Sequence, residues 1–66
     1  MKNSIKVERA IHELTQEQLA QRLGVSRQTI HAIEANKYVP STVLALKLAQ
    51  LFKKQVGEIF RLDEGD

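Results

Sequence analysis

The stretch from Thr15 to Ala35 constrains the fold more than any other, because its signals define two short helices and leave almost no chain to join them. Thr15 has the side chain of an N-cap, and Gln18, three residues on, completes a capping box. The helix that follows buries Leu19, Ala20 and Leu23 and stops at Gly24, the residue type that best tolerates the left-handed conformation ending a helix. Val25 then packs inward, and Ser26 caps a further helix from Arg27 to about Ala35 whose Ile30 and Ile33 point to the core. With small Ala20 permitting close approach, the two helices must cross at a fixed angle. Arg27, Gln28, His31 and Ala32 are left on the outer face.

The rest of the chain supplies helices around this pair. A first helix is expected over about Lys6 to Glu13, with Val7, Ala10, Ile11 and Leu14 along its buried face and Ile5 anchoring its start. Pro40 and Ser41 start a fourth helix running to about Lys53, and Val56 to Phe60 forms a last short one, with Ile59 and Phe60 closing the base of the core. The first four residues and Phe60 to Asp63 alternate loosely and can pair as a two-stranded ribbon. The expectation is an all-α, five-helix fold in one domain, since 66 residues hold a single modest core.

Several function classes fall away at this point. The chain has no cysteine, so no disulfide framework, thiolate nucleophile or cysteine-ligated zinc is available. Neither histidine has a partner at metal-ligand spacing, and no Ser-His-Asp or phosphate-loop pattern occurs, so no enzyme, cofactor, metal or small-molecule ligand is expected. The N-terminal residues lack a signal peptide's apolar run, and the longest unbroken apolar stretch is Val43 to Leu46, which points to a cytoplasmic protein without a membrane span. The formal net charge is +2, but it is unevenly spread. Residues 1 to 57 carry nine Lys or Arg against four Glu, whereas residues 58 to 66 carry Arg61 against four acids. A basic body of this kind is compatible with a nucleic-acid partner.

From Leu14 to Ser41, LTQEQLAQRLGVSRQTIHAIEANKYVPS resembles the Cro/repressor-like (Xre-type) helix-turn-helix family, most closely its short stand-alone members. The capping Thr15-Gln16, the Leu23-Gly24-Val25-Ser26 turn, the polar run Arg27-Gln28-Thr29, the Ile30-x-x-Ile33-Glu34 and the trailing Asn36-Lys37-x-x-Pro40-Ser41 all fall at the family's spacing. The resemblance implies a five-helix, lambda-repressor-like DNA-binding domain with its helix-turn-helix at about residues 16 to 35. Helix physics agrees: a helix can enter the major groove of double-stranded DNA, and side chains near its N-terminus then reach base edges.

Arg27 and Gln28 hold that place. Arg can pair with guanine O6 and N7 and Gln with adenine N6 and N7, each worth about 1–3 kcal/mol of discrimination. The resemblance makes Gln28 the first choice for base reading, while Arg27 can equally clamp a phosphate. It also implies that Gln16 bonds a phosphate while supporting Gln28, and that Asn36, Lys37 and Tyr38 form a loop following the DNA backbone. Tyr38 can alternatively cover the core edge, and Ser26 can touch a phosphate as well as cap its helix. His31 stands where close relatives commonly have asparagine; it can meet a phosphate or base, or be solvated, and can make binding pH-sensitive. His12 reads as ordinary surface. By the same resemblance Arg9 and Glu34 form a structural ion pair, and Glu8 occupies a position that is usually apolar.

The fourth helix is apolar nearly all round. Ala45, Leu48, Ala49 and Phe52 are expected in the monomer core, and its remaining leucines suggest a subunit interface. One recognition helix reads too few base pairs to find an operator, whereas a symmetric pair reads two half-sites. The chain therefore reads as a homodimeric repressor on a pseudo-palindromic operator, with the two-fold axis near the fifth helix. The competing reading is an antitoxin or anti-regulator that masks a partner protein.

Overall fold

The computed structural model describes residues 1–66. Its elements run β1 (Lys2–Asn3), α1 (Ile5–Ile11), α2 (Gln16–Leu23), α3 (Arg27–Glu34), α4 (Thr42–Phe52), α5 (Val56–Ile59) and β2 (Phe60–Arg61). Each of the three longer helices begins at a hydroxyl cap. Thr15 Oγ1 accepts from the Gln18 N–H at 3.0 Å while Gln18 Oε1 accepts from the Thr15 N–H at 2.9 Å, closing the capping box. Ser26 and Ser41 accept from the N–H groups of Thr29 and Leu44 at 3.1 and 3.2 Å, so donors left orphan at each helix start find partners.

Gly24 ends α2 at φ 73°. Its N–H donates to Gln21 at 3.3 Å and that of Val25 to Ala20 at 3.0 Å, the paired bonds of a Schellman ending. A Cβ on Gly24 would meet nothing within 4 Å, so the backbone angle alone asks for glycine. α2 and α3 form the most extensively packed helix pair. Around them one cluster gathers Leu19, Ala20 and Leu23 from α2, Ile30 and Ile33 from α3, and Leu44, Leu48, Ala49 and Phe52 from α4, capped by Ile5, Ile59 and Phe60. Each fully buried Leu, Ile or Phe contributes about 1.5–3 kcal/mol relative to exposure.

The first helix departs from expectation. It starts at Ile5 and stops at Ile11, and Val7 and Ile11 are 59% and 64% exposed; Ala10 is exposed as well. Its buried residues are Ile5 and Glu8. Two contacts fix this rotation. The Ser4 N–H donates to the Ile59 carbonyl at 2.9 Å, holding Ile5 over the core, and Arg9 is held against Glu34. Ile5 and Arg9 are one turn apart on one face, which puts Val7 about 200° away from either. Glu8 then takes an interior place and pairs with Lys54 of the α4–α5 turn, Nζ to Oε2 at 2.9 Å.

Smaller corrections follow elsewhere. Pro40 precedes the Ser41 cap and lies outside α4, which ends at Phe52 because Lys53 turns left-handed at φ 56°. Leu44 belongs to the core, and Ala45 and Leu51 pack against it from partly buried positions. Val43 and Leu46 remain 63% and 56% exposed. Phe60 is already in β2, which pairs antiparallel with β1 in the register Lys2 with Arg61 and Asn3 with Phe60. The ribbon is thus real but shorter than the expected span. No helix is long and apolar enough to cross a membrane.

Candidate nucleic-acid interface

The Ser26 cap decides what the start of α3 can do. Ser26 Oγ accepts from the Thr29 N–H at 3.1 Å and lies 2.9 Å from Thr29 Oγ1, so the hydroxyl caps the helix. The first turn of α3 contains no acid, and its positive dipole end meets the exposed side chains of Arg27 and Gln28. One turn on, His31 is exposed beside them. These three side chains and Gln16 of α2 line an open notch of about 390 Å³ with no hydrophobic residue. Three of the four side chains expected on the outer face of α3 are therefore brought together as a polar surface, which Gln16 joins across the turn, whereas Ala32 is half-buried and does not border the notch.

Behind the notch lies an ion pair. Arg9 Nε donates to Glu34 Oε2 at 2.8 Å and Arg9 Nη2 to Glu34 Oε1 at 3.2 Å, a bidentate arrangement. The side chains are 16% and 8% exposed. The hydrogen bonds that the guanidinium donates to Glu34, aided by the carboxylate's charge and opposed by desolvation, hold Arg9 above its ordinary value. Arg9 Nη1 also donates to the Leu14 carbonyl at 3.0 Å, so the pair ties α1 to the end of α3 and to the chain entering α2.

The loop after α3 divides its expected roles. Asn36 sits at φ 60°, a left-handed ending that asparagine tolerates, and the Lys37 N–H closes the turn on Ala32 at 2.9 Å. Asn36 Oδ1 accepts from Asn3 Nδ2 at 3.0 Å, and Asn3 Nδ2 also donates to the Ile33 carbonyl at 2.8 Å. The Asn36 side chain therefore anchors the loop to β1 with its oxygen and leaves its amide N–H groups outward. Lys37 is exposed. Tyr38 is 50% exposed and borders a recess with Gly24, Thr29, Ser41 and Lys47. His12 is exposed, with its ring 5.2 Å from that of Phe52 and Nδ1 2.9 Å from the Glu8 carbonyl oxygen.

Besides the Asn3–Asn36 bond, sequence reasoning missed a contact within the polar face: Gln16 Nε2 donates to Glu34 Oε1 at 3.2 Å. Nothing in the periodicity of α2 or α3 signals it, because it depends on how the start of one helix lies beside the end of the other.

Comparison with known proteins identifies the family. Residues 5–59 match the helix-turn-helix family. A Methanocaldococcus jannaschii protein named as an uncharacterized HTH-type transcriptional regulator is 53% identical over 66 residues, covering all of both chains. A Bacillus subtilis protein of similar name is 45% identical over 97% of each chain, and one from Archaeoglobus fulgidus is 47% identical over 97% of this chain and 90% of its own. The matched segment spans all five helices, including the capped pair and its polar face, and on this evidence the chain belongs to the helix-turn-helix family of DNA-binding transcriptional regulators, not to a family of enzymes.

Proposed function

We propose that the chain is a single-domain cytoplasmic repressor that binds a pseudo-palindromic operator as a homodimer, each copy laying α3 in one major groove. The observation that carries this reading is the notch lined by Gln16, Arg27, Gln28 and His31 without a hydrophobic side chain. Gln28 reads a base edge, and Arg27 reads a guanine or clamps a phosphate. His31 extends the same face. Gln16, Lys37 and the hydroxyl of Tyr38 meet the sugar-phosphate backbone, joined by the Asn36 amide and by the N–H groups beyond the Ser26 cap.

The dimer has its own support. An apolar groove of about 310 Å³ runs between the loop before α4 and the C-terminal elements, bordered by Val39, Pro40, Leu46, Val56 and Phe60. Val39 and Leu46 are 65% and 56% exposed, and apolar side chains clustered on a surface mark interaction sites. A second copy seated here would meet the first beside α5, and successive major grooves require the two recognition helices of such a pair to stand about 34 Å apart.

Selection of bound sequences from a random DNA pool tests the whole reading. Two inverted half-sites with centres about one helical turn apart are expected, and a reporter promoter carrying the recovered sequence should be silenced by the protein. A single asymmetric site, or no enrichment, overturns the reading.

A further inference from the structure

Gln16 belongs to the polar notch and Glu34 to the ion pair behind it, and the two features meet in one oxygen. Glu34 Oε1 accepts from both Gln16 Nε2 and Arg9 Nη2, each at 3.2 Å, while Oε2 accepts from Arg9 Nε at 2.8 Å. A carboxylate only accepts, so this contact decides which end of the Gln16 amide faces inward. We propose that Glu34 is a positioning residue for DNA binding: it acts through Gln16, presetting the amide that meets the phosphate backbone. The inference rests on the reading of Gln16 as a phosphate contact.

Anchoring one N–H leaves the other directed outward, where a phosphate oxygen can accept it. It also leaves the Gln16 carbonyl free to accept from Gln28 or Arg27, which border the same notch. An unanchored glutamine must lose its rotamer freedom and choose between two amide orientations when DNA arrives; holding it beforehand removes that cost from binding. The arrangement also answers an electrostatic difficulty. A lone carboxylate this close to DNA phosphates would repel them, but the bidentate Arg9 neutralises it. Arg9 in turn is fixed by the Leu14 carbonyl at 3.0 Å, immediately before the helix that carries Gln16.

Glu34→Asp separates positioning from scaffolding, because it keeps the charge that Arg9 needs while withdrawing the carboxylate by one methylene from Gln16. The probe is a labelled mixed-sequence DNA duplex at low salt, since a phosphate contact adds affinity on every sequence. Gln16→Ala and Glu34→Asp should each weaken binding about three- to tenfold, and the double variant should lose no more than either alone, a coupling of about 0.7–1.4 kcal/mol. Losses that multiply in the double variant overturn the proposal, as does undiminished binding by Glu34→Asp. Undiminished binding by Gln16→Ala removes instead the phosphate contact on which the proposal stands.

The unmodified protein free of DNA gives a check that needs no variant. The side-chain amide protons of Gln16 should exchange with water more slowly than those of exposed Gln21 and Gln50. Equal exchange overturns the positioning role even where Gln16→Ala has established the phosphate contact.

Discussion

Lys54 Nζ lies 2.9 Å from Glu8 Oε2, so the most deeply buried carboxylate of the molecule is neutralised from a turn 46 positions further along the sequence. The second oxygen, Oε1, is buried without a partner. A half-satisfied buried carboxylate is weak support for a fold, because desolvation offsets much of the attraction. Glu8→Leu is therefore expected to leave stability unchanged or raise it by up to about 4 kcal/mol. Lys54→Met should lower the melting temperature by stranding Glu8. Urea unfolding of the two variants checks the asymmetry; equal losses in both would contradict it.

The same contact sets an alkaline limit. The Lys54 ammonium is held above its ordinary value, chiefly by the hydrogen bond with Glu8, with their charge attraction adding and desolvation opposing. A raised folded-state value means that the protonated form is favoured on folding. The contribution is complete below the unfolded lysine value of about 10.4 and is lost as pH rises through the higher folded value. Thermal unfolding followed above that pH should fall more steeply for the parent than for Glu8→Leu. Parallel profiles would show that the pair has no linkage to folding.

How far the sequence could be read depended on how local each signal was. The α2–turn–α3 unit was legible because Thr15, Gln18, Gly24 and Ser26 act within three or four residues of themselves, and the spacing of Ile30 and Ile33 then dictates that Arg27, Gln28 and His31 face out. The rotation of α1 was not. Val7, Ala10 and Ile11 make a better apolar stripe than Ile5 and Glu8, and only the long-range bonds of Ser4 to Ile59 and of Arg9 to Glu34 overrule it. Leu44 reads as an interface residue in the sequence because an all-apolar helix carries no internal mark of its buried side, yet it lies in the core. Likewise, the Asn3–Asn36 bond depends on the ribbon placing β1 beside the end of α3.

Glu34→Ala should destabilise the fold by about 3 kcal/mol, the low end for stranding a buried charge, because the Arg9 side chain keeps some solvent contact. That is a large share of a small domain's stability. Chemical denaturation measures it directly. A loss below about 0.5 kcal/mol would place the pair among surface ion pairs.

Leu46→Glu tests the proposed dimer without touching the core, since Leu46 is 56% exposed and borders the apolar groove. Sedimentation at micromolar concentration should give the dimer mass for the parent and the monomer mass for the variant, with melting of the monomer fold little changed. Operator affinity should fall steeply while binding to an isolated half-site persists. A parent that sediments as a monomer and binds DNA only as one would refute the dimer and leave Val43 and Leu46 as scattered surface apolar residues.

Base and backbone contacts should separate in binding to a site recovered by selection, because a phosphate contact adds affinity on every sequence and a base contact only on the right one. Lys37→Ala should weaken binding to all DNA and lower the salt slope by about one unit. Gln28→Ala should spare non-specific binding, cost about 1–3 kcal/mol on the selected site and relax preference at one base pair in each half-site. Both side chains are exposed, so melting should barely move and lost binding can be told from lost folding. Should Gln28→Ala bind the selected site as tightly as the parent, base reading passes to Arg27 or His31, the other α3 side chains bordering the notch.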